Sequence, residues 1–141
     1  MKIKYFMFVL FVWCLLVNVS SYCIAEEKKK GESVVHGVTI VTMDTPLRAI
    51  IGRKVIVEVI IGNERATKVT TILTVTCPTT KQQIGREAET LDGLSSQKIV
   101  YSWNTEGLKE GTYVIRAELE KVPDETDVND NVRQVEILLE R

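Results

Sequence analysis

The sequence predicts an all-β protein, an antiparallel sandwich of about seven strands, and three observations support this. Apolar and polar residues alternate over short runs, which is the period of a half-buried strand. The runs are rich in Val, Ile, Thr and Tyr, residues that favour extended backbone. Turn-forming residues separate the runs, and no segment keeps a helical period. Short strands with regular turns are typical of two packed sheets.

Each run places one set of side chains on a common face, and we expect these faces to form the core. An opening strand is predicted at residues 34–43 and a weaker one at 82–87. The five clearest faces are Val55, Val57, Val59 and Ile61; Val69, Thr71, Leu73, Val75 and Cys77; Ile99, Tyr101 and Trp103; Tyr113, Ile115, Ala117 and Leu119; and Val135, Ile137 and Leu139.

The N-terminus has the layout of a secretory signal peptide, predicted at residues 1–25. Lys2 and Lys4 precede an apolar run at 5–17, and Cys23-Ile24-Ala25 places small residues before a cut at Glu26. We therefore expect export to the periplasm, the cell surface or the medium. The alternative of an uncleaved anchor is disfavoured because the run is shorter than the ~20 residues that span a bilayer.

A lipoprotein signal at Cys23 is disfavoured too, because the bulky Tyr22 precedes the cysteine.

Cleavage before Glu26 would leave one domain at 34–141 behind a flexible charged lead-in at 26–33. Removing the two signal lysines leaves 16 Lys and Arg against 19 Asp and Glu, a balance that disfavours nucleic-acid binding. Cys77 would be the only remaining cysteine, which excludes an internal disulfide, and its alternation predicts a core position.

The C-terminal third carries a more specific pattern. Its parts are Trp103-Asn104-Thr105, then residues 111–117 (GTYVIRA), then 122–127 (VPDETD), then Asp130-Asn131. This order resembles the CARDB family, the cell-adhesion-related domain of bacterial and archaeal surface proteins. The resemblance implies an immunoglobulin-like sandwich of seven strands without catalytic residues. The chain departs from the family at Arg65, where members often have glycine, and in carrying the domain alone.

Several oxygen-bearing side chains lie close together before the last strand, and calcium prefers such ligands. They are Asp124, Glu125, Asp127, Asn129, Asp130 and Asn131. The first part of an EF-hand spacing is present, but Val132 stands where that motif needs glycine and Leu138 where it needs glutamate. The favoured interpretation is therefore that these side chains cap turns. Calcium is the only cofactor that the sequence suggests.

Features of an enzyme are missing from the sequence. His36 is the only histidine and has no indicated partner, and no phosphate loop or nucleophile elbow occurs. Tyr101, Trp103 and Tyr113 could form a sugar-stacking platform, but their common parity favours core packing.

The sequence thus predicts a non-catalytic, exported module that binds a protein partner or assembles with itself at the cell envelope. No membrane span is expected after cleavage. Ile56 and Ile60 face away from the predicted core and, with Ile72, could form an apolar patch for that partner. The alternatives are a carbohydrate-binding module and a calcium-stabilised domain of a surface assembly.

Overall fold

The computed structural model describes residues 34–141, which fold into two sheets with eight strands in total. The predicted signal peptide (1–25) and lead-in (26–33) lie outside the described residues. The strands are β1 (Val38–Asp44), β2 (Arg48–Ile50), β3 (Lys54–Asn63), β4 (Val69–Cys77), β5 (Gln82–Leu91), β6 (Ser96–Asn104), β7 (Gly111–Leu119) and β8 (Val132–Glu140).

One sheet has the order β1-β3-β6 and the other the order β2-β8-β7-β4-β5. All neighbours are antiparallel except β2 and β8, which run in the same direction. The connection from β7 to β8 is long and contains a single 3-10 turn at Asn129–Asn131. Between residues 34 and 141, no helix is long and apolar enough to cross a bilayer.

The core lies between the sheets and contains the predicted faces except Val69 and Val135, which are only partly buried against it. On β3 and β6 every inward apolar side chain is buried, and Trp103 at its centre is fully buried. The Trp103 ring lies 5.7 Å from that of Tyr113 at a tilt of 59°, an arrangement that aromatic pairs favour. Its Nε1 donates a hydrogen bond of 3.1 Å to Gln82 Oε1, which satisfies the one polar atom of the indole. The predicted burial of Cys77 is also confirmed.

The eight strands agree with the expected number of about seven. One short strand was not predicted, since β2 is only three residues long and follows a proline turn too closely to show alternation, and two strand bounds were wrong. The first strand begins at Val38 and not at residue 34, since the backbone of 35–37 bonds to other loops. β5 continues to Leu91 rather than ending at 87, and its mostly exposed side chains explain the weak pattern.

Candidate functional site

The six predicted calcium ligands differ in burial and in hydrogen-bond partners. Glu125 is fully buried and turned toward the backbone. Its Oε1 accepts a 2.8 Å hydrogen bond from Val38 N, and its Oε2 accepts bonds of 3.0 Å from Val122 N and Asn131 Nδ2. A Cβ at Gly37 would lie 2.2 Å from Oε1, so the carboxylate reaches β1 only because that residue is glycine. Glu125 and Asn131 therefore fasten the loop to β1.

The other four loop residues divide into two groups. Asp124 has a φ of 63° and, like Asn129, is exposed. Asp127 Oδ1 accepts a 3.3 Å bond from Asn129 N, which is the turn capping that the sequence suggested. The second oxygen of Asp127 and the side chain of Asp130 face a different group of residues.

That group, which we call the His36 cluster, comprises His36, Glu64, Asp127 and Asp130. Ligand atoms of His36, Glu64 and Asp130 all lie within 4.8 Å of one another. The Nδ1 atom of His36 is 3.2 Å from Glu64 Oε2 and 3.7 Å from Asp127 Oδ2. Asp130 Oδ1 is buried and has no hydrogen-bond partner among the described residues. Sequence spacing gave no reason to group His36 with Glu64, because these residues are far apart along the chain.

Backbone hydrogen bonds bring the three segments of the cluster together. Glu64 N donates to Gly37 O at 2.9 Å, and Thr126 N donates to Val35 O at 2.9 Å. Arg65 binds the same region, because its Nε donates to His36 O at 3.2 Å and its Nη2 to Pro123 O at 2.6 Å. Arg65 therefore ties the β3–β4 turn to both neighbouring segments.

A second candidate is the outward surface of the β1-β3-β6 sheet, which we call the outer face. Val41, Ile56 and Val100 are 43%, 47% and 54% exposed there, and Ile60 is half-buried beside them. A Lys98–Glu58 ion pair crosses the middle of this face. Ile72 was wrongly grouped with Ile56 and Ile60, since it lies on β4 in the other sheet. The alternation of β6 already placed Val100 outward, so its position on this apolar surface could have been predicted from the sequence.

The sheet edges differ in how open they are. β1 has an irregular register between Ile40 and Thr42, β2 has only three residues, and β5 carries charged side chains within residues 86–89. β6 has no proline and pairs with β3 one residue to one along its whole length. In residues 34–141 no other strand pairs with its backbone, although its Gln97 Nε2 donates a 2.9 Å hydrogen bond to Glu89 Oε2 of β5. Edges are normally protected by bulges, shortness or charge, and β6 has only Lys98 on its outward side.

Aromatic side chains are buried throughout residues 34–141, since Tyr101, Trp103 and Tyr113 are at most 9% exposed. Burial raises the pKa of Tyr101 well above its ordinary value, and the Glu87 carboxylate nearby raises it further. The Tyr101 ring packs where a side chain at Gly85 would be, because a Cβ there would lie 2.1 Å from Cε1. The described residues thus offer no exposed ring on which a sugar could stack.

No protein-family model and no curated protein matches the sequence. The structure is similar to the crystal structure of a CARDB domain from Pyrococcus furiosus in complex with di-metal ions, with 18% identity and a TM-score of 0.63, over 72% of this chain and 91% of that chain. The solution structure of the same domain matches with 19% identity and a TM-score of 0.63, over 72% and 93%.

A β-glucosidase from Erythrobacter marinus also matches, with 14% identity and a TM-score of 0.58, over 73% of this chain but only 15% of the enzyme. Identities this low show the fold and nothing more. The chain has the fold of CARDB domains, as its segment from Trp103 to Asn131 predicted.

Proposed function

We propose that this protein is a non-catalytic interaction module, exported to the cell envelope, that associates with a second copy of itself through strand β6. The proposal is supported by the CARDB-type fold, by the signal-like residues 1–25, and above all by the open edge of β6 beside the apolar outer face. An open edge can accept a strand from another chain, which supplies backbone hydrogen bonds along its length.

A second copy fits this edge in charge and shape. Two antiparallel β6 strands related by a twofold axis at Val100 would place Val100 opposite its own counterpart. The same register sets Lys98 opposite Ser102 of the second copy, so that the one charged side chain on this side of β6 meets no like charge. Ile56, which lies opposite Ser102 and thus diagonal to Val100 on the outer face, would extend the apolar contact in both copies.

The size of such a contact determines the behaviour that we expect. One pair of nine-residue strands buries less than the ~1,600 Å² of a standard interface, so the dimer should be weak and concentration-dependent. Clustering of many copies on a surface would strengthen so weak a contact through effective concentration.

Light scattering coupled to size-exclusion chromatography over a wide concentration range tests the proposal. The mass should rise toward that of a dimer, and Val100→Lys should keep the protein monomeric because it places two ammonium groups at the twofold axis. Leu94→Lys is the matched control, since Leu94 is 73% exposed but lies in the turn before β6.

A wild-type protein that stays monomeric at the highest concentration would contradict self-association, as would dimerisation of the Val100→Lys variant. A photo-crosslinker at residue 100, used in the native envelope, identifies the occupant. Capture of a different protein in place of a second copy would reject the homodimer and keep the interaction module.

A further inference from the structure

We propose that His36, Glu64 and Asp130 form a binding site for a divalent transition-metal ion of the Zn²⁺ type, with Asp127 beside it. The site does not depend on self-association, because none of its residues lies on β6 or on the outer face. It is also distinct from the predicted calcium ligands at residues 124–131, since two of its three ligands, His36 and Glu64, lie outside that segment.

The ligand types select the metal. Calcium takes six to eight oxygen ligands, whereas a neutral imidazole suits Zn²⁺ and its neighbours in the first transition row. One imidazole and two carboxylates supply three protein ligands, which leaves one or more positions for water. This is the composition of an open zinc site rather than of a closed structural one.

The distances fit such an ion after a small contraction. Ligands about 2.1 Å from a tetrahedral zinc lie about 3.4 Å from one another. The His36 Nδ1 to Glu64 Oε2 distance of 3.2 Å already matches this spacing. No separation in the group exceeds 4.8 Å, so the largest contraction that the same geometry requires is at most about 1.4 Å. The side chains of His36 and Glu64 are 54% and 40% exposed, so they have room to move and a path for the ion.

The cluster is built on fixed backbone rather than on long side chains that meet by chance. Glu64 is fixed to Gly37, the neighbour of His36, by a hydrogen bond of 2.9 Å, and Asp127 N lies 3.3 Å from Val35 O. Asp130 belongs to the 3-10 turn that precedes β8, and its buried Oδ1 accepts no hydrogen bond from residues 34–141. A buried carboxylate oxygen without a donor is costly, and a metal ion would relieve that cost.

Charge also favours a cation here. Three carboxylates lie around one histidine, and the guanidinium of Arg65, the residue after Glu64, donates to the carbonyl oxygens of His36 and Pro123. The competing interpretation is a solvent-exposed ion pair between His36 and Glu64, which would contribute little and need no metal.

Isothermal titration of the purified protein with ZnCl₂ and, separately, with CaCl₂ tests the site. We expect one zinc per chain, with an affinity about tenfold or more lower in His36→Gln and in Asp130→Asn. Asp124→Asn is the matched control, because it makes the same charge change in the same loop outside the cluster, and it should leave zinc affinity unchanged. Thermal melting of each metal-free variant checks that it is folded.

The histidine supplies an independent readout. Because His36 is the only histidine in the sequence, one set of imidazole ¹⁵N resonances reports on it, and zinc should shift the coordinating nitrogen. Absence of saturable zinc binding overturns the proposal, as does equal affinity in His36→Gln and wild type. Calcium binding that falls in Asp124→Asn and ignores His36→Gln would overturn it in favour of the acidic loop.

Discussion

Replacing Glu125 with Gln tests whether one buried carboxylate holds the β7–β8 loop against β1. The substitution keeps the shape of the side chain and changes one acceptor oxygen into a donor. Glu125 accepts three hydrogen bonds, one at Oε1 and two at Oε2, and each oxygen accepts one of them from a backbone N–H group whose direction is fixed. The amide group of Gln must therefore face at least one of these donors.

The magnitude follows from counting those bonds. The less damaging orientation places the amide nitrogen toward Val38 N, which loses one charge-assisted bond and makes the other two neutral. Bonds to charged groups contribute about 1.5–3 kcal/mol and neutral ones about 1 kcal/mol. We expect Glu125→Gln to lower the free energy of unfolding by about 2.5 kcal/mol or more, a large part of the ~5–15 kcal/mol typical of a domain.

Urea unfolding followed by the fluorescence of Trp103, which is fully buried, measures this loss. The matched control is Glu110→Gln, since Glu110 is 54% exposed and pairs only with the terminal Arg141; it should change stability by less than about 0.5 kcal/mol. Equal unfolding midpoints for the two variants would refute the assigned role of Glu125.

Three further outcomes follow from contacts in and around the core. Gly85→Ala should lower the stability of the fold by about 1–3 kcal/mol in thermal melts, because its Cβ meets the Tyr101 ring. The loss should be clearly smaller in a Tyr101→Leu background, and equal losses in both backgrounds would refute the contact. The pKa of Tyr101 is raised from 10.0 in the folded protein, so the tyrosine ionises first in the unfolded chain and stability should fall as pH rises above 10. Tyr101→Phe should flatten that part of the profile of stability against pH, measured by urea unfolding, and an unchanged slope would contradict this role. Cys77 is fully buried, so a thiol reagent should label it only when the protein unfolds, and rapid labelling of the native protein would show that the strand opens.

The strands and the core could be predicted because burial on one face leaves a period of two in the sequence. Val55 to Ile61 and Ile99 to Trp103 follow that period without interruption, and both strands were predicted nearly in full. β2 was not predicted, because three residues beside a proline turn are too few to show alternation. Ile72 was placed with the wrong partners because alternation separates inward from outward side chains, but does not say which sheet a strand joins.

The candidate sites were less predictable, for a related reason. Asp127 and Asp130 could be proposed as cation ligands because they lie close together in the sequence. Their convergence with His36 and Glu64 depends on the pairing of β1 with β3 and on the path of the β7–β8 loop. Neither is encoded in local spacing. The buried role of Glu125 was missed for the same reason, since its partner Val38 lies 87 residues away.

The parallel pairing of β2 with β8 has a consequence for how the domain would respond to tension. The start of β1 lies beside Asn131, just ahead of β8, whereas the end of β2 pairs with Glu140 at the far end of β8. A pull on the chain before residue 34 and after residue 141 would therefore draw β2 and β8 in opposite directions along their length. Their hydrogen bonds, with the Leu138 N to Leu47 O and Ile51 N to Glu140 O bonds of 2.9 Å at either end, would be loaded together in shear rather than opened one at a time.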